Sequence, residues 1–362
     1  MSVANFPTDY AESRRRFRQA ATRRGAALEA HPIGLDGPDG EPLTIDVARL
    51  GPDDASQVVV VSSGLHGIEG FLGAAVQLAV LEDEEGANVG PDRAIVFLHA
   101  LNPYGYAYLR RVNEDNVDLN RNMLRQGEDY SGSPPLYGAM DPLLNPEQPP
   151  PGGLSMFLPK AAFYLARYGL PALKDAVAGG QYDFPKGLFY GGAGPTATHR
   201  ILDAELPRWV AGARRVLHID FHSGLGRWGS YKLLVDHPWG SEGLAALERV
   251  FGADVVEPWE PKQGVSYAIR GGLGTWCKAR LPDVEYDVLC AEFGTTNILA
   301  VISALHQENR AHLWGAEADS TTVAAKARLR EVFAPESAKW RGLTLERGIA
   351  IVQRAFGAGE GG

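Results

Sequence analysis

Apolar residues in this chain fall into two kinds of run. Short clusters of five to eight residues, rich in Val, Ile and Leu, alternate with longer Ala- and Leu-rich stretches. The first kind reads as strand and the second as helix, so the alternation predicts an α/β fold with a mostly parallel or mixed central sheet and helices on both faces. Strands are predicted at Ser56–Ser63, Ala94–His99, Arg215–Phe221, Tyr231–Val235 and Asp287–Phe293. Their apolar runs are continuous, the pattern of strands covered on both sides. Helices are predicted at Tyr10–Arg24, Gly70–Leu81, Ala161–Tyr168, Arg200–Ala211, Ser241–Phe251, Ile298–Leu313 and Thr321–Phe333.

One stretch breaks the pattern. Seven prolines lie from Pro134 to Pro151, with Gly138 among them and Gly132 and Ser133 just before. Proline removes a donor and blocks the preceding turn, so residues 129–153 are expected to be an irregular insert, neither helix nor central strand. A structureless insert of that length in a compact domain is usually functional or mobile. The chain as a whole is expected to be one domain over 1–362, with a helical C-terminal segment at about 296–356 and a frayed tail from Gly357.

Composition narrows the field. The chain has 362 residues, enough to bury roughly three quarters of the surface its unfolded form exposes. Its net charge of −9 argues against a nucleic-acid partner, which calls for a clustered basic footprint. No apolar run approaches the ~20 residues of a membrane span. The arginines between Arg14 and Arg24 are expected to form a solvated helix face, since no apolar stretch follows them as in a signal peptide. Two cysteines, Cys277 and Cys290, cannot build a disulfide framework, and reduced thiols in a cytoplasmic protein are the expectation.

The candidate chemistry begins at Ser63-Gly-Leu-His66-Gly-Ile-Glu69-Gly70, where a buried strand gives way to a helix. Open α/β sheets present ligands at such turns. An imidazole and a carboxylate three residues apart there can converge on one metal ion, and zinc accepts both. A buried His with a Glu at a helix start would look the same. His222 ends another apolar strand and is the candidate third ligand. Alternation sets His218, Asp220 and His222 on one face, with Asp220 in reach to support the site and His218 reading as a core histidine. Gly224-Leu-Gly-Arg-Trp-Gly229 matches a dinucleotide-binding expression but leads into a strand, without the helix that mechanism needs. Asn102-Pro-Tyr-Gly105 is followed by Arg110 and Arg111, and then by Asp118-Leu-Asn120-Arg121. Such arginines suit carboxylate recognition and oxyanion stabilisation. Glu292, in an otherwise apolar strand, is costly to bury without a task.

Taken in order, H-x-x-E, N-P-x-G, Arg, D-L-N-R, a distant His and a strand-borne Glu resemble the signature of the zinc carboxypeptidase superfamily. That group includes carboxypeptidase A-like enzymes and the aspartoacylase and succinylglutamate desuccinylase deacylases. The resemblance spans residues 64–295 and looks closest to an uncharacterised bacterial branch. It implies a zinc ion held by His66, Glu69 and His222, with Glu292 as general base. It implies further that Arg111, or Arg110 in the other register, polarises the scissile carbonyl, and that Asn120 and Arg121 bind a substrate carboxylate. A tyrosine closing over the substrate has only a positional counterpart, Tyr267. The implied function is zinc-dependent hydrolysis of an amide bond beside a free carboxylate, on a small peptide. The alternative is an N-acyl amino acid deacylase, for which the helical residues after Glu292 lack the expected β-rich domain. A metal-bearing binding protein without turnover is a third reading, disfavoured because Glu292 and the arginines are all in place. No G-x-S-x-G elbow points to a serine hydrolase.

Overall fold

The computed structural model describes residues 3–83, 90–151, 157–259 and 269–357. Among these, eight strands form one sheet: β1 (Ala27–Asp36), β2 (Pro42–Leu50), β3 (Gln57–Ser63), β4 (Arg93–His99), β5 (Arg215–Leu225), β6 (Tyr231–Val235), β7 (Val256–Pro258) and β8 (Glu285–Thr296). Their spatial order is β1-β2-β4-β3-β5-β8-β6-β7. The inner strands β4, β3, β5 and β8 run parallel, flanked by antiparallel pairings of β2 with β4 and β6 with β8. The class is therefore α/β with a mixed sheet.

The helices follow in chain order. α1 (Tyr10–Arg23) precedes the sheet, and α2 (Gly70–Glu82), α3 (Pro103–Ala107) and α4 (Leu119–Asn122) come with its first half. α5 (Pro135–Leu144) lies in the Pro-rich insert, and α6 (Phe157–Tyr168) and α7 (Leu170–Ala178) extend that insert beyond the expected residue 153. α8 (Ala197–Trp209), α9 (Glu242–Phe251) and α10 (Leu273–Arg280) lie between later strands, and α11 (Ile298–Trp314), α12 (Ser320–Phe333) and α13 (Ala338–Gly357) end the described chain. Alternation splits the strand side chains between two cores. Val59, Val61, Leu217 and Ile219 join residues of α1, α2, α9 and α11 to α13. Val58, Val60, Val216 and Val288 join α8 and α10. All five predicted strands and seven predicted helices are present, with ends shifted by at most four residues.

Two expectations are corrected. The insert is not wholly irregular, because α5 starts with Pro135 in its first turn, where a missing N–H costs nothing, and ends two residues after Pro142. Its Tyr137, Met140, Leu143 and Leu144 are buried. The arginine face of α1 is not simply solvated: Arg14 Nε and Arg18 Nη1 each lie 2.8 Å from a carboxylate oxygen of Asp46, which is fully buried on β2. Strands β1, β2 and β7 went unread. β1 carries mostly exposed or half-exposed side chains and tolerates Pro32, as an edge strand does. Residues 152–156, at the end of the Pro-rich stretch, and the tail from residue 358 lie outside the described residues.

One side chain fastens the insert at its base. Asn122, closing α4, donates from Nδ2 to the carbonyls of Gly191 and Gly194 at 2.8 and 2.9 Å. Its Oδ1 accepts from the backbone N and Oγ1 of Thr196, both at 2.9 Å, at the start of α8.

Candidate metal centre

Strands β3, β5 and β8 deliver the site because their C-terminal ends open on the same side of the sheet, where the chain leaves β3 for β4 on one side and returns from β4 to β5 on the other. After β3 the chain turns through Gly64, at φ 66°, and a short 3-10 turn, Gly67–Glu69, leads into α2. That turn packs hard against the next loop. Gly67 N–H donates to the Arg111 carbonyl at 3.1 Å and Ile68 N–H to the Arg110 carbonyl at 2.8 Å. A Cβ on Gly67 would stand 2.1 Å from the carbonyl carbon of Gly105, so only glycine fits.

The side chains meet at the cleft. Donor atoms of His66, Glu69 and His222 all lie within 4.8 Å of one another, and all three residues are buried. His66 Nδ1 is 2.9 Å from Glu69 Oε1, and His222 Nδ1 is 3.0 Å from Glu69 Oε2. The outer nitrogens have carboxylates of their own: His66 Nε2 lies 3.1 Å from Asp118 Oδ1, and His222 Nε2 lies 2.5 Å from Asp220 Oδ2. Two imidazoles and a carboxylate, with further carboxylates behind the rings, are the donor chemistry of a catalytic zinc site. Asp220 continues inward, accepting from Ser62 Oγ at 2.6 Å, and Ser62 Oγ lies 2.7 Å from His218 Nε2. His218 is thus part of the buried support, and its Nδ1 reaches the Tyr286 hydroxyl at 3.0 Å.

Register places the candidate base. β5 pairs with β8 so that His222 is opposite Glu292 and Asp220 opposite Cys290. Glu292 Oε1 accepts from Leu225 N–H at 3.0 Å. Burial first, and then the charge on Glu69, push the Glu292 carboxyl up to about 7. Burial also works to raise Glu69, but the imidazoles of His66 and His222 outweigh it and hold that carboxyl below the ordinary range. The same cleft, about 50 Å³, is lined by Arg111, Asn120, Phe189 and Trp259 as well.

The two arginines part ways. Arg111 Nη1 donates to Glu69 Oε1 at 2.8 Å and Nε to Asp118 Oδ2 at 3.2 Å, while Nη2 stands 2.7 Å from His66 Nε2. That nitrogen therefore either accepts from Arg111 or donates to Asp118. Arg110 is fully buried elsewhere, with Nε on Glu308 at 3.0 Å and Nη2 on Asn116 and Asn309. Asn120 reaches the cleft, and its Oδ1 accepts from Leu273 N–H. Arg121 does not reach it. Fully buried, it aims Nε and Nη2 at the Ala178 carbonyl at 3.0 and 2.6 Å and Nη1 at the Asn120 carbonyl. Tyr267 lies outside the described residues.

Four residues near the metal group were not singled out as site residues in the sequence. Asp118 could have been, since it belongs to the Asp-Leu-Asn-Arg run. Cys290 reads only as a reduced thiol, yet its sulfur, His222 and Glu292 form a second close donor group. Both cysteines are free and buried. Phe189, at φ 58°, and Trp259 give no sequence signal at all.

Gly224–Gly229 joins β5 to β6 without a helix, as expected. No curated protein matches the sequence. Among solved structures, the fold is similar to carboxypeptidase A from Helicoverpa armigera, 15% identical with TM-score 0.48, covering 94% of this chain and 76% of that one. It is also similar to bovine thrombin-activatable fibrinolysis inhibitor, 15% identical with TM-score 0.44, covering 91% and 98%. A third is succinylglutamate desuccinylase from Chromobacterium violaceum, 14% identical with TM-score 0.39, covering 89% and 74%. Residues 6–347 match the model of a family described as a protein of unknown function (DUF2817), and the chain belongs to that family.

Proposed function

We propose that the chain is a zinc-dependent hydrolase of an amide bond next to a free carboxylate, acting in the manner of a carboxypeptidase. The observation that supports it is the meeting of His66, Glu69 and His222 beside Glu292 and Arg111 in one cleft. His66, Glu69 and His222 would hold a divalent ion, which when bound would supply an acidified water and polarise a carbonyl. Glu292 takes the proton from the attacking water and returns it to the leaving amine. Arg111 offers a guanidinium where negative charge develops on the carbonyl oxygen. Asp118 and Asp220 hold the imidazoles in the tautomer that frees Nδ1 for the ion.

The carboxylate role of Arg121 carries a condition. Two of its donors converge on one oxygen, that of Ala178, and Ala178 lines the cleft. A substrate carboxylate would take the place of that carbonyl. The test is metal analysis of the purified protein with hydrolysis of peptides and N-acyl amino acids, each free and amidated at the C-terminus. The reading expects one zinc per chain and preference for free carboxylates. Loss of neither metal nor turnover in His66→Ala and His222→Ala overturns it.

A further inference from the structure

We propose that the acyl side of the substrate carries an extended apolar chain, held in an apolar lobe that the insert builds beside the catalytic cleft. The inference rests on the hydrolase reading above and specifies its substrate class. The lobe is a concavity of about 90 Å³ between α5, α6, α7 and α11. Leu143, Leu144, Leu165, Leu173, Val177 and Leu299 line it. Its one hydroxyl, on Tyr164, is already spent on the Ala139 carbonyl at 3.2 Å.

The lobe opens onto the reaction site. Ala178, Ile298 and Ile302 line both it and the cleft that holds Glu292 and His222. Leu299, 48% exposed, stands on its rim. An apolar hollow of this kind gains little from water and much from alkyl groups; one of about 150 Å³ takes up benzene. A second hollow, of about 240 Å³, shares Asn120, His222 and Trp259 with the cleft and is lined by Asp220, Asp236 and Thr275 together with Ile269, Leu273 and Val288.

The lobe orients an asymmetric amide. Among its described lining residues a carboxylate would find no donor and would lose its hydration uncompensated. The carboxylate-bearing half of the substrate is therefore kept out of the lobe, which takes the acyl half. An alkyl chain or a run of apolar residues satisfies the same wall, so both are tested.

The experiment uses the zinc-loaded Glu292→Gln protein, in which binding is read by calorimetry without turnover. Its ligands are N-acetyl-, N-butanoyl-, N-hexanoyl- and N-octanoylglycine, and in a second arm Leu-Leu-Gly against Ser-Ser-Gly. Each buried methylene is expected to tighten binding about three- to fourfold. From acetyl to hexanoyl the gain is then on the order of 10²-fold. Leu299→Glu, at a residue 48% exposed on the rim, should flatten the series, and Leu165→Ser should weaken it. A flat series in the parent protein, or a steep one untouched by both variants, overturns the proposal. A steep series in a protein whose unmutated form hydrolyses no member supports the lobe and overturns the hydrolase reading instead. Steeper discrimination in the peptide arm than in the alkyl arm assigns the lobe to apolar peptide side chains.

Discussion

Arg110 and Arg111 are adjacent in the chain and have opposite surroundings, a difference that no spacing rule reports. Arg110 is locked to Glu308, which Lys326 also approaches at 3.1 Å, whereas Arg111 touches Glu69 and Asp118 at the cleft. Arg110→Ala leaves the buried Glu308 short of a partner and is expected to cost about 3–5 kcal/mol, read from denaturant unfolding. Arg111→Ala should instead lower turnover by on the order of 10²–10³ with the fold retained, as for loss of one oxyanion donor. Glu292→Gln is expected to bind metal normally and lose on the order of 10²–10⁴ in kcat. Near-normal kcat in that variant would remove Glu292 from the mechanism. Arg121→Lys should act first on stability, because one ammonium cannot replace two donors on the Ala178 carbonyl. The expected loss is about 1.5–3 kcal/mol, seen as a lower thermal midpoint.

At the level of elements, legibility followed burial. The inner strands could be read because both faces are covered and their apolar runs are unbroken, as in Val58–Val61. β1 was hidden because its single neighbour, β2, leaves it half in water, where the pattern of a buried strand is lost. α5 was hidden because it starts on Pro135, where a helix tolerates proline, and runs on through Pro142, against the usual rule, facts of position that composition cannot show. The grouping of His66, Glu69 and His222 was legible in the sequence, since the chain carries them where apolar runs stop. The cleft walls were not, because Phe189, Trp259 and Ala178 arrive from distant segments and acquire meaning only through packing. The turn that carries His66 and Glu69 depends on one such contact. Gly67→Ala must push the turn off Gly105, and the expected result is lost metal affinity together with a lower melting temperature. Metal titration of the folded variant separates the two effects, and unchanged affinity would show that the turn has room to yield.

For the whole molecule, buried histidines set an acid limit. Burial lowers His99 to about 3, and it lowers His306 and His312 to about 4. His99 is remote from the metal group, with Nδ1 on Gln77 Oε1 at 2.7 Å and its ring stacked on Phe17. Each takes up a proton more readily when unfolded, at about 6.5, than when folded. Between those values the unfolded chain binds more protons, so stability is fully present above about pH 6.5 and falls as pH drops toward 4. The thermal midpoint should decline across that window, and His99→Gln should shallow the decline. A midpoint that stays level from pH 6.5 to 4 would contradict the assignment. A different consequence follows from the four hydrogen bonds of Asn122. They bring the departure and return of the insert to one point, so everything between behaves as a cassette clipped onto a finished scaffold. His66, Glu69, His222 and Glu292 all lie outside that cassette. Substitutions in α5 and α6 are therefore expected to leave the grouping of His66, Glu69, His222 and Glu292 in place, whereas those at the end of α7 reach the cleft through Ala178.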